Sequence, residues 1–172
     1  TPKVSHERNP MTDLQPDSVC ASLIADMRSL QLSTVGPDGI PHCGYTPYLH
    51  RAPNNFYIFV SQLAAHTRHL LANVTVAIMI IADEQSTAQI FARTRVNYLC
   101  DAKQIPPDSP DYSLVLDDYQ QRHGKMAGML RQLPDFVLFR LQPRSGQFVM
   151  GFGKAYTLAG DHLSVFEHTS TG

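Results

Sequence analysis

The apolar run VTVAIMIIA at 74–82 is the feature that most constrains the fold. It is about half the length that a membrane-spanning helix needs, so it predicts a buried strand and not a span. The segments before it repeat the strand pattern. LQLSTVG, a Pro37-Asp38-Gly39 turn and IPHCGYTPYLH read as two strands, and a Pro-Asn-Asn turn at 53–55 leads into a third, FYIFV, whose aromatic and β-branched residues suit a pleated, half-buried surface. Strands joined by turns this short imply an antiparallel meander.

Helices flank these strands. PDSVCASLIADMRSL has Val19, Leu23, Ile24, Met27 and Leu30 at helical spacing, which predicts a helix over 16–28, after a polar N-terminal arm at 1–15. SQLAAHTRHLLAN at 61–73 reads as a short helix with Ser61 as N-cap and Asn73 as breaker. YSLVLDDYQQRHGKMAGMLRQL reads as a helical stretch interrupted near Gly124 and Gly128. Residues 90–104 alternate as a strand with Arg93, Arg95 and Asn97 on one face, and DFVLFRLQP, the turn RSG and QFVMGFGKAYTL form a last hairpin. The expectation is a mainly β (α+β) domain over 16–172: a six- to seven-stranded, closed or nearly closed antiparallel barrel with three helices.

Composition narrows the function. The chain has 172 residues, enough for one domain with a real core, and 14 basic against 15 acidic residues argue against non-specific nucleic-acid binding. Cys20, Cys43 and Cys100 are odd in number, well separated and without CxxC spacing, so free thiols are expected. No basic-then-apolar leader pattern is visible, which makes cytoplasmic localisation the expectation. The eight histidines are the one excess.

Three chemistries fit 61–73. His66 and His69 could share a helix face toward a metal, but no HExxH or third ligand accompanies them. They also fit an ordinary exposed helix. A helix starting at the end of a strand presents free backbone N–H groups, and Ser61, Thr67 and Arg68 would add donors for phosphate or carboxylate, with Arg93 and Arg95 supplying further charge. Asp135, just before an apolar strand, fits either a strand-start residue or a carboxylate that orients a histidine. There is no GxSxG, P-loop or complete GxGxxG, and the glycines of GFGKAYTLAG fit a bulge or a close backbone approach.

The order of LSTVGPDGIPHCGYTPY, SQLAAHTRHLLAN, VTVAIMIIADE and IFARTRVNYLCDA resembles the pyridoxamine-phosphate-oxidase-like, FMN-binding split-barrel superfamily. LPDFVLFRLQPRSGQFVMGFGKAYTLAGDHL at 133–163 is similar to heme-utilisation proteins of the HutZ and HugZ type. That resemblance implies a homodimeric split barrel with its ligand cleft between subunits, binding heme and degrading it with dioxygen and electrons. It implies that Asp135 supports an iron-binding histidine, which in the family lies in a C-terminal Gly-His-Arg-like tail. This chain ends EHTSTG, and His168 falls a few residues short of that position, so His168 is the candidate iron ligand here and the family ligand is expected beyond Gly172. Heme propionates would meet Arg68, Arg93 or the start of the 61–73 helix. Two alternatives stand beside it: an FMN-dependent oxidoreductase in which Ser61, His66, Thr67, Arg68 and Arg93 bind the cofactor, and a non-catalytic heme store or carrier.

Overall fold

The computed structural model describes residues 14–169. The predicted N-terminal arm lies almost wholly outside them. Helix α1 (Pro16–Asp26) begins with proline in its first turn, where a missing N–H costs nothing, and buries Cys20, Leu23 and Ile24. Strands β1 (Ser29–Val35) and β2 (Pro41–Pro47) form a hairpin, with Gly39 at φ 77° in the intervening turn. The predicted second strand in fact breaks at Tyr48 and resumes as β3 (Leu49–Arg51), which pairs with β4 (Asn55–Ser61). Then follow α2 (Ala65–Ala72), β5 (Thr75–Ile81), β6 (Arg95–Ile105), α3 (Tyr112–His123), α4 (Lys125–Leu130), β7 (Phe136–Gly151), β8 (Lys154–Ala159) and β9 (Val165–His168).

The architecture is the expected mainly β antiparallel split barrel with flanking helices, built among the described residues from nine strands instead of six or seven. The main path runs β2-β1-β5-β6-β7-β4-β3. β7 forks it: residues 136–141 pair with β4, residues 146–151 pair with β8, and β6 runs along its other edge. The predicted RSG turn does not exist. Arg144-Ser145-Gly146 continues the strand, and the register with β6 slips by one residue there, Leu99 facing Ser145 while Cys100 faces Pro143. The hairpin turn falls instead at Phe152-Gly153, where Gly153 has φ 66°. The helical stretch breaks only at Gly124 (φ 82°), whereas Gly128 sits inside α4 under the Gln120 side chain.

Two apolar clusters share β4 and β7. Phe56, Ile58, Val60, Phe139, Leu141 and Phe148 face the barrel interior. Tyr57, Phe59 and Leu138 face outward, where Val115, Leu116 and Tyr119 of α3 cover them. This double burial explains why FYIFV carries no polar alternation. Among the described residues no helix is long and apolar enough to cross a membrane. Cys20, Cys43 and Cys100 are free.

Candidate functional site

Ser61 and Asp135, 74 positions apart in sequence, are joined where β4 ends and β7 begins. Ser61 is the last residue of β4, paired with Phe136, and Gln62 N donates to the Asp135 carbonyl at 2.8 Å. This ladder draws Ser61 out of the helix that the sequence assigned to it. α2 starts later, with Ala64 as an N-cap that has no side-chain bond, so the predicted Ser61 cap is replaced by a different job. The Ser61 hydroxyl donates to Asp135 Oδ2 at 2.5 Å and accepts from Leu63 N at 3.1 Å. Its proton and a lone pair are both committed, which fixes the carboxylate and leaves Oδ1 free of side-chain bonds among the described residues. Leu63, 82% exposed, and Leu133, 45% exposed, flank the pair in sequence. The result is one oriented carboxylate with apolar neighbours open to solvent.

The remaining candidates do not gather there as donors. Arg68 Nη1 donates to the Leu63 carbonyl at 2.7 Å. Thr67 is fully buried with no partner for Oγ1 among the described residues. Arg93 lies before β6, just past a 3-10 turn at Ile90–Ala92, and not on the strand face expected for it. Its Nε donates to the Ala82 carbonyl and its Nη1 pairs with Glu84 at 3.0 Å. Arg95 Nη1 in turn donates to the Arg93 carbonyl. His168 is on the outer strand β9, paired with Tyr156, its Nε2 donating to the Gly153 carbonyl at 2.6 Å, near the opposite end of β7 from Asp135.

α2 instead presents its histidines to the β1–β2 hairpin. His69 Nδ1 hydrogen-bonds Thr34 Oγ1 at 2.9 Å and its ring meets the edge of His42 at 5.5 Å. A Cβ at Gly44 would lie 2.9 Å from His66 Nδ1, and one at Gly36 2.9 Å from His69 Nε2, so the two glycines make room for the two rings. Burial, then repulsion from His42 and His69, holds the His66 imidazole below its usual pKa. Among the described residues, no group of three or more His, Cys, Asp or Glu side chains is placed to hold a metal ion. Sequence reasoning missed His42, Thr34 and the two glycines. The signal was strand alternation, which puts His42 and Gly44 on one face of β2.

The signature of the family described as pyridoxamine 5'-phosphate oxidase matches residues 17–150, nearly the whole barrel. The chain belongs to that family. Within it the chain is of the HutZ type: it is 39% identical over 147 residues to the heme oxygenase HutZ of Vibrio cholerae serotype O1, covering 86% of this chain and 83% of that protein. The crystal structure of HutZ, described as the heme storage protein of Vibrio cholerae, superposes with a TM-score of 0.74 at 34% identity, over 79% of this chain and 95% of that one. Campylobacter jejuni ChuZ shares the fold, with a TM-score of 0.80 at 23% identity, over 96% of this chain and 65% of that one.

Proposed function

We propose that this protein binds heme and degrades it oxidatively for iron utilisation, as a homodimer with the ligand cleft between subunits. The single observation that carries the reading is the Ser61–Asp135 pair. A carboxylate with one oxygen occupied and the other open is suited to accept the N–H of an imidazole whose second nitrogen binds iron. Leu63 and Leu133, exposed and two residues in sequence from Ser61 and Asp135, supply apolar surface of the kind a porphyrin face needs, so the residues present fit the group. Bound heme would supply both the iron that engages dioxygen and the ring that is oxidised.

The chain's own part is positioning. Asp135 holds the proton on one imidazole nitrogen and raises the basicity of the other, while Ser61 holds Asp135. His168 is the candidate ligand among the described residues, and since it lies near the far end of β7 from Asp135 in the same chain, the imidazole would come from a partner subunit. Arg68 and Arg93 already spend part of their guanidinium groups on the Leu63 carbonyl and on the Ala82 carbonyl with Glu84, which leaves each only its remaining N–H donors for a propionate. Those commitments count equally against the FMN reading, in which Ser61, Thr67, Arg68 and Arg93 would have to converge on one phosphate. Localisation in the cytoplasm is part of the same proposal.

Titration of the protein with hemin tests it. A saturable Soret band that appears at one heme per chain supports the reading, whereas a bound yellow flavin with no Soret change overturns it. Hemin with ascorbate in air then separates turnover from storage: release of iron with biliverdin or a related tetrapyrrole supports the enzyme, and a persistent heme complex makes the protein a store or carrier.

A further inference from the structure

A row of polar side chains crosses the outer face of the barrel where α3 stops covering it. Arg140 of β7 faces Tyr57 of β4 on one side and Lys103 of β6 on the other. The neighbouring row, Phe59, Leu138 and Ile105, is covered by Val115, Leu116 and Tyr119 of α3. The cover reaches Tyr57 but leaves Arg140 half-buried and Lys103 exposed.

Lys103 and Arg140 are like charges on facing positions of neighbouring strands, where Cβ atoms lie about 4.5–5.5 Å apart. Such a pair opposes the pairing of its strands unless a negative group offsets it. The acids nearby are already engaged: Asp118 with Arg51 at 3.3 Å, Asp101 with Arg144 at 3.5 Å, and Asp117, the second carboxylate of α3, with Arg131 at 2.9 Å. Among the described residues no ion pair engages Lys103 or Arg140. A second observation is independent of that charge count. Arg140 Nε is buried without a hydrogen-bond partner, so the guanidinium has given up water there and gained no acceptor in return.

We propose that Arg140, Lys103 and Tyr57 form a binding site for a phosphoryl dianion, either inorganic phosphate or the phosphate of a small monoester. The donor set selects that class over a carboxylate. A guanidinium fork, an ammonium and a phenol hydroxyl present three kinds of donor and two positive charges to a tetrahedral oxyanion, whereas a monocarboxylate brings one charge and two oxygens. The strand ladders fix the three backbone positions side by side, at about 4.8 Å per strand, so little ordering is left for binding to impose. Asp135 is separated from Arg140 by about 17 Å of extended chain, and the site is independent of the heme reading.

Amide chemical shifts of the full chain at pH 8 and constant ionic strength test this with inorganic phosphate, glycerol 3-phosphate and acetate. The expected result is saturable phosphate binding with Kd below about 5 mM, shifts centred on residues 57, 103 and 140, and at least about tenfold weaker binding of acetate. Tighter binding of glycerol 3-phosphate than of phosphate assigns the site to a monoester, and equal or weaker binding assigns it to the free ion. Lys103→Gln, at an exposed position, should weaken phosphate at least about fivefold. Because it also removes the like-charge opposition, its melting temperature without phosphate should equal or exceed that of wild type. Arg140→Gln should weaken phosphate by as much. Hemin titration of the same samples reports on the heme reading alone. Non-saturable shifts, acetate bound as tightly as phosphate, or undiminished phosphate affinity in both variants overturns the proposal.

Discussion

Ser61→Ala removes one hydroxyl whose proton is given to Asp135 and whose lone pair serves Leu63 N. The second of these is cheap to lose, because Leu63 is exposed and water can replace the oxygen. The first is a hydrogen bond to a charged group, about 1.5–3 kcal/mol in general. Both side chains are partly exposed, so solvent screening reduces the coupling to about 1–2 kcal/mol. A double-mutant cycle over wild type, Ser61→Ala, Asp135→Ala and the double variant, followed by urea unfolding, isolates that term. Ser61→Ala alone should lower the melting temperature by roughly 3–6 °C, given about 2–4 °C per kcal/mol for a chain of this size. In hemin titrations Asp135→Ala should lose turnover more than binding. A coupling within about 0.5 kcal/mol of zero would refute the idea that Ser61 holds Asp135, because effects at independent sites add to that accuracy.

Three further outcomes follow from burial. The His50, His66 and His123 imidazoles are held below their usual pKa chiefly by desolvation. The unfolded chain therefore takes up protons first as pH falls below about 6.5, and stability should drop from there toward acid while staying flat above it. Urea midpoints between pH 8 and pH 5 check the sign, and a midpoint that rises on acidification contradicts it. Burial pushes the Cys20 thiol up to about 11 and the Cys100 thiol up to about 12, whereas Cys43 is exposed. An aromatic disulfide reagent at neutral pH should titrate one thiol in the native protein and three in denaturant. Gly146→Ala places a Cβ 2.7 Å from Tyr98 Cδ1 and 3.1 Å from the Asn97 carbonyl, and should cost about 1–3 kcal/mol in a thermal melt. An unchanged melting temperature would mean that the ring and strand yield freely.

Much of the fold is written in local pattern. The apolar runs at 56–60 and 74–82 became β4 and β5, and the helix beginning at Pro16 formed with its three buried residues on one stripe. What local pattern could not convey is competition between neighbours. Ser61 looks like a cap because serine precedes a helix, yet pairing with Phe136 and the carbonyl of Asp135 outweighs a cap bond. Arg-Ser-Gly looks like a turn, yet β6 on one edge carries the strand straight through it. Of the candidate site, the residue types were legible and their grouping was not. Asp135 and Ser61 meet through a ladder between distant strands, and Arg93 is drawn to Glu84, a partner nine residues away, instead of a shared anion.

The extra residue in β7 sets the phase of everything after it. Before Arg144 the interior-facing positions are the odd ones, Val137, Phe139 and Leu141; after it they are the even ones, Gly146 and Phe148. The single inserted residue thus lets one continuous strand serve the Asp135 end and the β8–β9 end with opposite parity. Without it, Phe148 would turn to solvent and Gln147 inward, and β8 would lose the aromatic against which Tyr156 stacks. Arg144 is in that sense a hyphen in the strand: it contributes an ion pair to Asp101 as a side chain, and as a backbone unit it lets two differently spaced halves be read as one sentence.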